Sequence, residues 1–176
     1  ARAHAEVTTG GLPENWPWGV LCGLDEALSL LEGREVDIDA LPEGTLFPAR
    51  DRHGRRLPVL TLEGPYGAYC TYETPLLGFL CQATGIAARA ARVRLAAGDA
   101  PVLSFGARRM HPAIAPMIDR AAWVGGCDGI SCVLSAERLG ITPTGTMPHA
   151  LMILFEDQAG AWRAFDETMP PEVPRI

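Results

Sequence analysis

Apolar and polar positions change rhythm three times along the chain. In GLDEALSLLEG (23–33), Leu24, Ala27, Leu28 and Leu31 recur on one face, which predicts a helix that Gly33 can end. From VDIDAL to GPYGAY the pattern shortens to alternating runs broken by Pro and Gly, the mark of strands and turns. The polar stretch Arg50–Arg56 reads as an exposed hairpin tip, its arginines solvated rather than phosphate-binding. Thr74 and Pro75 then form a helix start, a cap followed by the first helical residue. PLLGFLCQATG is apolar on nearly all sides, so that helix is expected to be deeply buried. IAARAARVRLAAG continues it, with Arg89, Arg92 and Arg94 as surface charge on the wetter side.

After Gly98 strand and helix alternate. PVLSF is a strand, AIAPMIDRAAWVGG a helix, GISCV a strand and LSAERLG a short helix. A third strand is expected to end near TGTM, DQAGAWRAFDETM is a helix, and VPRI begins another strand. Such alternation signals a parallel α/β sheet. The units are shorter than the roughly 30 residues of a regular eight-fold barrel, so a compact, irregular barrel is expected. Three parallel strands cannot close a barrel. The expectation is therefore an α/β fragment, or a chain that a partner completes: a partial N-terminal domain over 1–98 and the first three βα units, with the start of a fourth, over 99–176.

Composition narrows the class. The 176 residues are 48% hydrophobic and 20% charged, enough for a core and unlike a disordered tail. ALMILF and PLLGFLCQA are far below membrane-span length and read as core segments. ARAHAEVTTGG has no basic-then-apolar leader pattern. The net charge is −6, and all 15 positive charges are arginine; this balance argues against nucleic acid or an anionic membrane as partner while allowing a local anion pocket. Cys22, Cys70, Cys81, Cys127 and Cys132 are odd in number, lie in apolar surroundings and form no CxxC pair, so buried reduced thiols and a cytoplasmic location are expected. A zinc site at Cys127 and Cys132 lacks a second ligand pair, and no metal ligands are assigned.

Ligands of parallel α/β sheets bind beyond the carboxyl ends of the strands. Three polar stretches fall there: FGARRMHP, GGCDGIS and GTMPHA, carrying Arg108 and Arg109, Asp128 and Ser131, and Thr146 and His149. Adjacent guanidiniums suit bidentate binding of carboxylate or phosphate. The other reading is an ion pair with Asp119 or Glu73. Asp128 fits either a ligand-orienting group or a turn-former. His111, ahead of Pro112, is read as a local cap. His149 has the chemistry of an acid, a base or a phosphoryl acceptor, and equally of a ring hydrogen-bonded at a helix start.

With those residues in view the chain resembles the nicotinate phosphoribosyltransferases. The matching stretches are AEVTTGGLP, LPEGTLF, EGPY, YETPLLGFLCQATGIAARAARVRLAAGD, SFGARRMHPAIAPMIDRAAWVGGCDGIS, GTMPHA and EVPRI; the DRHGRRLP loop stands apart. The helix from Glu73 and the double arginine are also similar, in less detail, to the quinolinate enzymes. The resemblance implies an N-terminal α/β sandwich followed by an irregular α/β barrel. It implies nicotinate and phosphoribosyl pyrophosphate as substrates, ATP as co-substrate, Mg²⁺, and a homodimer or larger homo-oligomer with shared sites. It implies that His149 is the histidine phosphorylated by ATP. Thr146 then belongs to the nicotinate site, Arg108 and Arg109 line the substrate pocket, Asp128 is its carboxylate, and Phe105 stacks on the pyridine ring. Tyr72, Glu73 and Thr74 lie in a family motif without an assigned role. Family members begin earlier and run well beyond residue 176. Three functions follow: the ATP-coupled nicotinate enzyme, a quinolinate or nicotinamide relative, or a non-catalytic half-barrel that needs a partner chain.

Overall fold

The computed structural model describes residues 1–171, 173 and 175. It is a mixed α/β structure in which a long helix joins an antiparallel half to a parallel one. The first half contains β1 (Arg2–Thr8), β2 (Gly19–Val20), α1 (Leu24–Leu31), β3 (Asp37–Ala40), β4 (Leu46–Phe47) and β5 (Pro58–Pro65). A short α2 (Tyr66–Tyr69) precedes the long α3 (Glu73–Ala97). The second half contains β6 (Leu103–Ser104), α4 (Ala115–Val124), β7 (Gly129–Ile130), α5 (Val133–Leu139), α6 (His149–Phe155) and α7 (Gln158–Thr168).

β5 is the central strand of an antiparallel sheet ordered β1-β5-β3, while β2 and β4 form a separate ribbon. Burial follows the strand period: Leu60 and Leu62 of β5 pack with Ala27 and Leu31 of α1 and Leu76 and Leu80 of α3. This is the helix-on-sheet layer expected of the N-terminal half. The expected α1 forms, but of its predicted face only Ala27 and Leu31 are buried, while Leu28 is 41% exposed. The amino end of α1 is capped from a distance, because Glu43 Oε1 accepts hydrogen bonds from the Gly23 and Leu24 amides at 2.7 and 3.1 Å. The Arg50–Arg56 hairpin tip also forms, bridged at its ends and organised by Asp51, which accepts from the His53 and Arg55 amides.

Several expectations need correction. α3 starts at Glu73 with Tyr72 in the cap position, so Thr74 and Pro75 lie inside its first turn and Thr74 is not the cap. Its apolar stretch is buried on one face only: Leu76, Leu80, Ala83 and Ala87 are covered, whereas Leu77 and Phe79 are 41% and 38% exposed. The arginines of α3 are not idle surface charge. Arg92 lies 3.7 Å and 4.0 Å from the Trp16 and Trp18 ring centres and donates to the Trp18 carbonyl. Arg89 pairs with Glu14 at 2.9 Å, and Arg94 with Asp128 at 2.5 Å.

The parallel half seats on α3 through α4. Gly125, at the end of α4, lies so close that an added Cβ would stand 2.7 Å from Ala90 Cβ. Among the described residues of this half, β6 and β7 alone form a ladder, parallel, with Leu103 opposite Gly129 and Ser104 opposite Ile130. The expected third strand is reduced to an extended segment with one ladder-like bond, from the Thr144 amide to the Ile130 carbonyl at 2.8 Å. ALMILF is not a core segment, since Ile153 and Leu154 of α6 are 76% and 79% exposed. Of the expected VPRI strand, Pro174 and Ile176 lie outside the described residues. Val173 and Arg175 carry no strand; Arg175 folds back to the end of α7, donating to Asp166 and to the Met169 carbonyl. Cys22 and Cys127 are buried, but Cys70 and Cys132 are half-buried and Cys81 is exposed, so the expectation of buried thiols holds for two of the five.

Candidate active site

The parallel pair decides which polar residues share an edge. Ser104 ends β6, Ile130 ends β7, and Thr144 is hydrogen-bonded beside Ile130. Phe105–Arg109, Ser131 and Gly145–His149 therefore each follow a residue registered across this edge. Gly129 makes the close spacing possible: a Cβ there would lie 2.9 Å from both Leu103 Cδ2 and Thr144 Oγ1.

Beyond β6 the chain makes a 3₁₀ turn over Ala107–Arg109, closed by the Arg109 amide donating to the Gly106 carbonyl at 2.9 Å. Arg108 and Arg109 are exposed there, and no ion pair is made by either among the described residues. The partners considered from sequence do not take them. Asp119 is buried under Ser104, and Glu73 opens α3. Phe105 is 42% exposed, with ring surface free to stack. His111 is the local cap expected of it: its Nδ1 accepts from the Ala113 amide at 3.2 Å.

Asp128 is engaged by the protein itself. Its Oδ2 accepts from Arg94 at 2.5 Å and from the Val102 amide at 2.7 Å, so it braces the entry of β6 against α3. With partners 34 and 26 positions away, this oxygen is not the local turn-former of the sequence reading. Ser131 is half-buried, and its amide donates to the Ser104 carbonyl at 3.1 Å. Thr146 is exposed, Met147 is buried, and His149 is the exposed first residue of α6. Tyr72 packs against the core of the antiparallel half, with the Arg34 guanidinium 4.7 Å from its ring centre. Glu73 and Thr74 are exposed in the first turn of α3.

Two features escaped the sequence reading. One is Asp119, 1% exposed, whose Oδ1 accepts from Ser104 Oγ at 2.7 Å. Its signal was a charge on the apolar face that Ala115, Ile118 and Ala122 form on α4. The other is the cluster of Arg120, Asp25 and Glu43, which ties α4 to the start of α1; Arg120 Nη2 reaches Glu43 Oε2 at 2.5 Å. Burial raises the Glu43 pKa, but bonds from Arg120 and the Gly23 and Leu24 amides outweigh it and hold the carboxyl below its ordinary value. Burial, reinforced by the Glu43 charge, pushes the neighbouring Cys22 thiol up to about 12. Among the described residues no group of three or more His, Cys, Asp or Glu side chains could hold a metal ion, and no helix is long and apolar enough to cross a membrane.

Comparison with known proteins matches this geometry to a family. Residues 1–84 match the N-terminal domain of quinolinate phosphoribosyl transferase, and residues 86–176 match its C-terminal domain. The chain belongs to the quinolinate phosphoribosyl transferase family, and the two matches meet inside α3. A nicotinate phosphoribosyltransferase of Mycobacterium tuberculosis is 35% identical over 150 residues, covering 83% of this chain and 31% of that protein. The human nicotinate phosphoribosyltransferase is 35% identical over 133 residues, covering 74% of this chain and 23% of that protein. Among solved structures, a nicotinate-nucleotide pyrophosphorylase from Pyrococcus furiosus superposes with a TM-score of 0.92 at 56% identity, over 99% of this chain and 43% of that one. Human nicotinic acid phosphoribosyltransferase has a TM-score of 0.74 at 24% identity, which shows the shared fold. The chain thus spans less than half the length of each of these four relatives.

Proposed function

We propose that the intact protein is a nicotinate phosphoribosyltransferase, making nicotinate mononucleotide and pyrophosphate from nicotinate and phosphoribosyl pyrophosphate in NAD biosynthesis, with coupled ATP hydrolysis. The observation that carries this reading is the exposed Arg108–Arg109 pair, without ion partners among the described residues, just beyond β6. Arg94 and Arg120, by contrast, are occupied by the protein's own carboxylates. Two open guanidiniums suit a pyridine carboxylate or the phosphates of the second substrate. Phe105 supplies ring surface for the pyridine, and Thr146 and Ser131 supply hydroxyls. Asp128 contributes by steadying the strand entry. The names of the relatives from Mycobacterium tuberculosis and human agree with nicotinate as substrate.

In this reading the pyridine nitrogen forms a bond to the ribose anomeric carbon as the bond to pyrophosphate breaks, and pyrophosphate leaves with the electron pair. The arginines orient one reactant and stabilise the departing charge. His149 accepts the terminal phosphoryl group of ATP: a ring nitrogen bonds phosphorus, ADP leaves, and the ring loses its N–H proton to solvent; water later cleaves the N–P bond, releasing inorganic phosphate and returning a proton to the ring. Mg²⁺ enters the proposal as a companion of the phosphate-bearing substrates, which supply most of its oxygen ligands. The exposed Leu77 and Phe79 supply apolar surface for a homodimer or larger homo-oligomer with shared sites.

A second reading, a quinolinate enzyme, is favoured by the description of the matching family. Quinolinate carries two carboxylates and loses carbon dioxide, and needs no phosphohistidine. Assay of the intact protein with each pyridine, with and without ATP, separates the two. Turnover of nicotinate stimulated by ATP, abolished in its ATP response by His149→Ala, is expected. Release of carbon dioxide from quinolinate at a higher rate, indifferent to ATP, would replace the first reading with the second.

A further inference from the structure

Asp119 breaks a local rule. It is 1% exposed on the apolar face of α4, its Oδ1 accepts from Ser104 Oγ at 2.7 Å, and its Oδ2 is buried without a hydrogen-bond partner among the described residues. A buried carboxylate with one side-chain bond costs more than an apolar residue of similar size would. Such breaches concentrate where a protein holds something in place for function.

What it holds is the last residue of β6. Ser104 is fixed twice: its carbonyl accepts from the Ser131 amide at 3.1 Å, and its hydroxyl donates to Asp119. One residue separates Ser104 from Gly106, after which the chain turns through Ala107–Arg109. The ladder holds the backbone of Ser104 on the β7 side, and the Asp119 bond ties its side chain down to α4. The turn bond from the Arg109 amide to the Gly106 carbonyl shapes the segment beyond, and the Ser104 anchor sets where that turn starts.

We infer that Asp119 is a positioning residue: through the Ser104 hydroxyl it sets where the chain leaves β6, and so where Phe105, Arg108 and Arg109 stand. The inference rests on the reading of those three residues as the substrate edge. It differs from a core-packing role because its effect is confined to that segment.

The test uses the intact protein and three variants, Ser104→Ala, Ser104→Thr and Asp119→Asn, read by backbone hydrogen exchange, thermal stability and steady-state kinetics with nicotinate. Losing one such bond is worth about a tenfold change. Ser104→Ala is therefore expected to speed exchange at residues 105–110 about tenfold, with the rest of the chain unchanged. KM for nicotinate should rise by about the same factor, with kcat within about twofold. Ser104→Thr, which restores the hydroxyl, and Asp119→Asn, which keeps an acceptor, should return both values most of the way. Unchanged exchange at 105–110 in Ser104→Ala overturns the inference, as does a uniform loss of protection across the chain. If the unaltered protein turns over no pyridine carboxylate, the functional reading fails while the exchange data still decide the positioning role.

Discussion

The antiparallel and parallel halves solve the same problem to different extents. In the first, β5 has a neighbour on each side, and Leu60 and Leu62 are covered by α1 and α3. In the second, β6 and β7 pair over two residues each, and α6 presents Ile153 and Leu154 to solvent. An antiparallel sheet closes locally through turns, whereas a parallel one gathers its core only as successive crossovers accumulate. The same contrast governs charge. Arginines near the junction of the halves are tied to carboxylates and indoles, whereas Arg108 and Arg109, just beyond β6, stand open.

The sharpest way to break the comparison is to remove one apolar side chain from each half. Leu60→Ala should lower unfolding free energy by about 2–5 kcal/mol in urea titrations, because its site is fully enclosed. Leu154→Ala should change it by less than about 0.5 kcal/mol. Equal costs would show that α6 is covered in solution.

Next in size is the junction. Glu43→Ala leaves Arg120 with Asp25 alone and the α1 amides uncapped, and should cost about 1–3 kcal/mol. Because the folded Glu43 pKa is depressed, its contribution is present above the ordinary carboxylate range. That contribution is lost as pH falls through the folded value. Stability measured from pH 6 downward should therefore fall less steeply in the variant; parallel curves would remove Glu43 from the acid transition. Cys22 acts in the opposite direction. Its raised pKa favours the fold while the thiol is neutral, and that contribution declines as pH rises above about 9, toward about 12.

Arginine exchange gives a smaller thermodynamic effect and a clearer separation of roles. Arg94→Ala should destabilise by about 1 kcal/mol through loss of the Asp128 brace. Arg108→Ala should leave stability within about 0.5 kcal/mol while cutting nicotinate turnover of the intact protein by about 100-fold. A stability loss at Arg108 matching that at Arg94 would mean its guanidinium has a protein partner. The smallest effect concerns thiols: exposed Cys81 should react with a disulfide reagent well before buried Cys22, with the order of labelling read by mass spectrometry.

Much of this was legible in the chain. The face of Leu24, Ala27, Leu28 and Leu31 marked α1, although Leu28 stays exposed; the run from Pro75 to Gly98 marked α3, and alternation after Gly98 marked the parallel half. Local rules sufficed there because helix periodicity and turn residues act over a few positions. The same rules placed the start of α3 at Thr74, where a hydroxyl precedes proline. The chain instead enters from the α2 turn with Tyr72 as cap, so Glu73 already begins the helix. GTMPHA and FGARR could be assigned to one edge because both follow expected strands. What Asp128 does could not be read, since its partner Arg94 lies 34 positions away.

The sequence by itself determined the order and type of most elements, the α/β class, and which polar side chains follow the expected strands, because periodicity, breakers and side-chain type are local properties. Tertiary structure alone decided that Asp128 and Arg94 spend their charges on each other, and that Arg108 and Arg109 keep theirs. It also decided that the apolar stretch of α3 buries one face and that a carboxylate sits beneath Ser104. Each depends on distances between residues far apart in the chain, and burial and charge pairing are set by those distances.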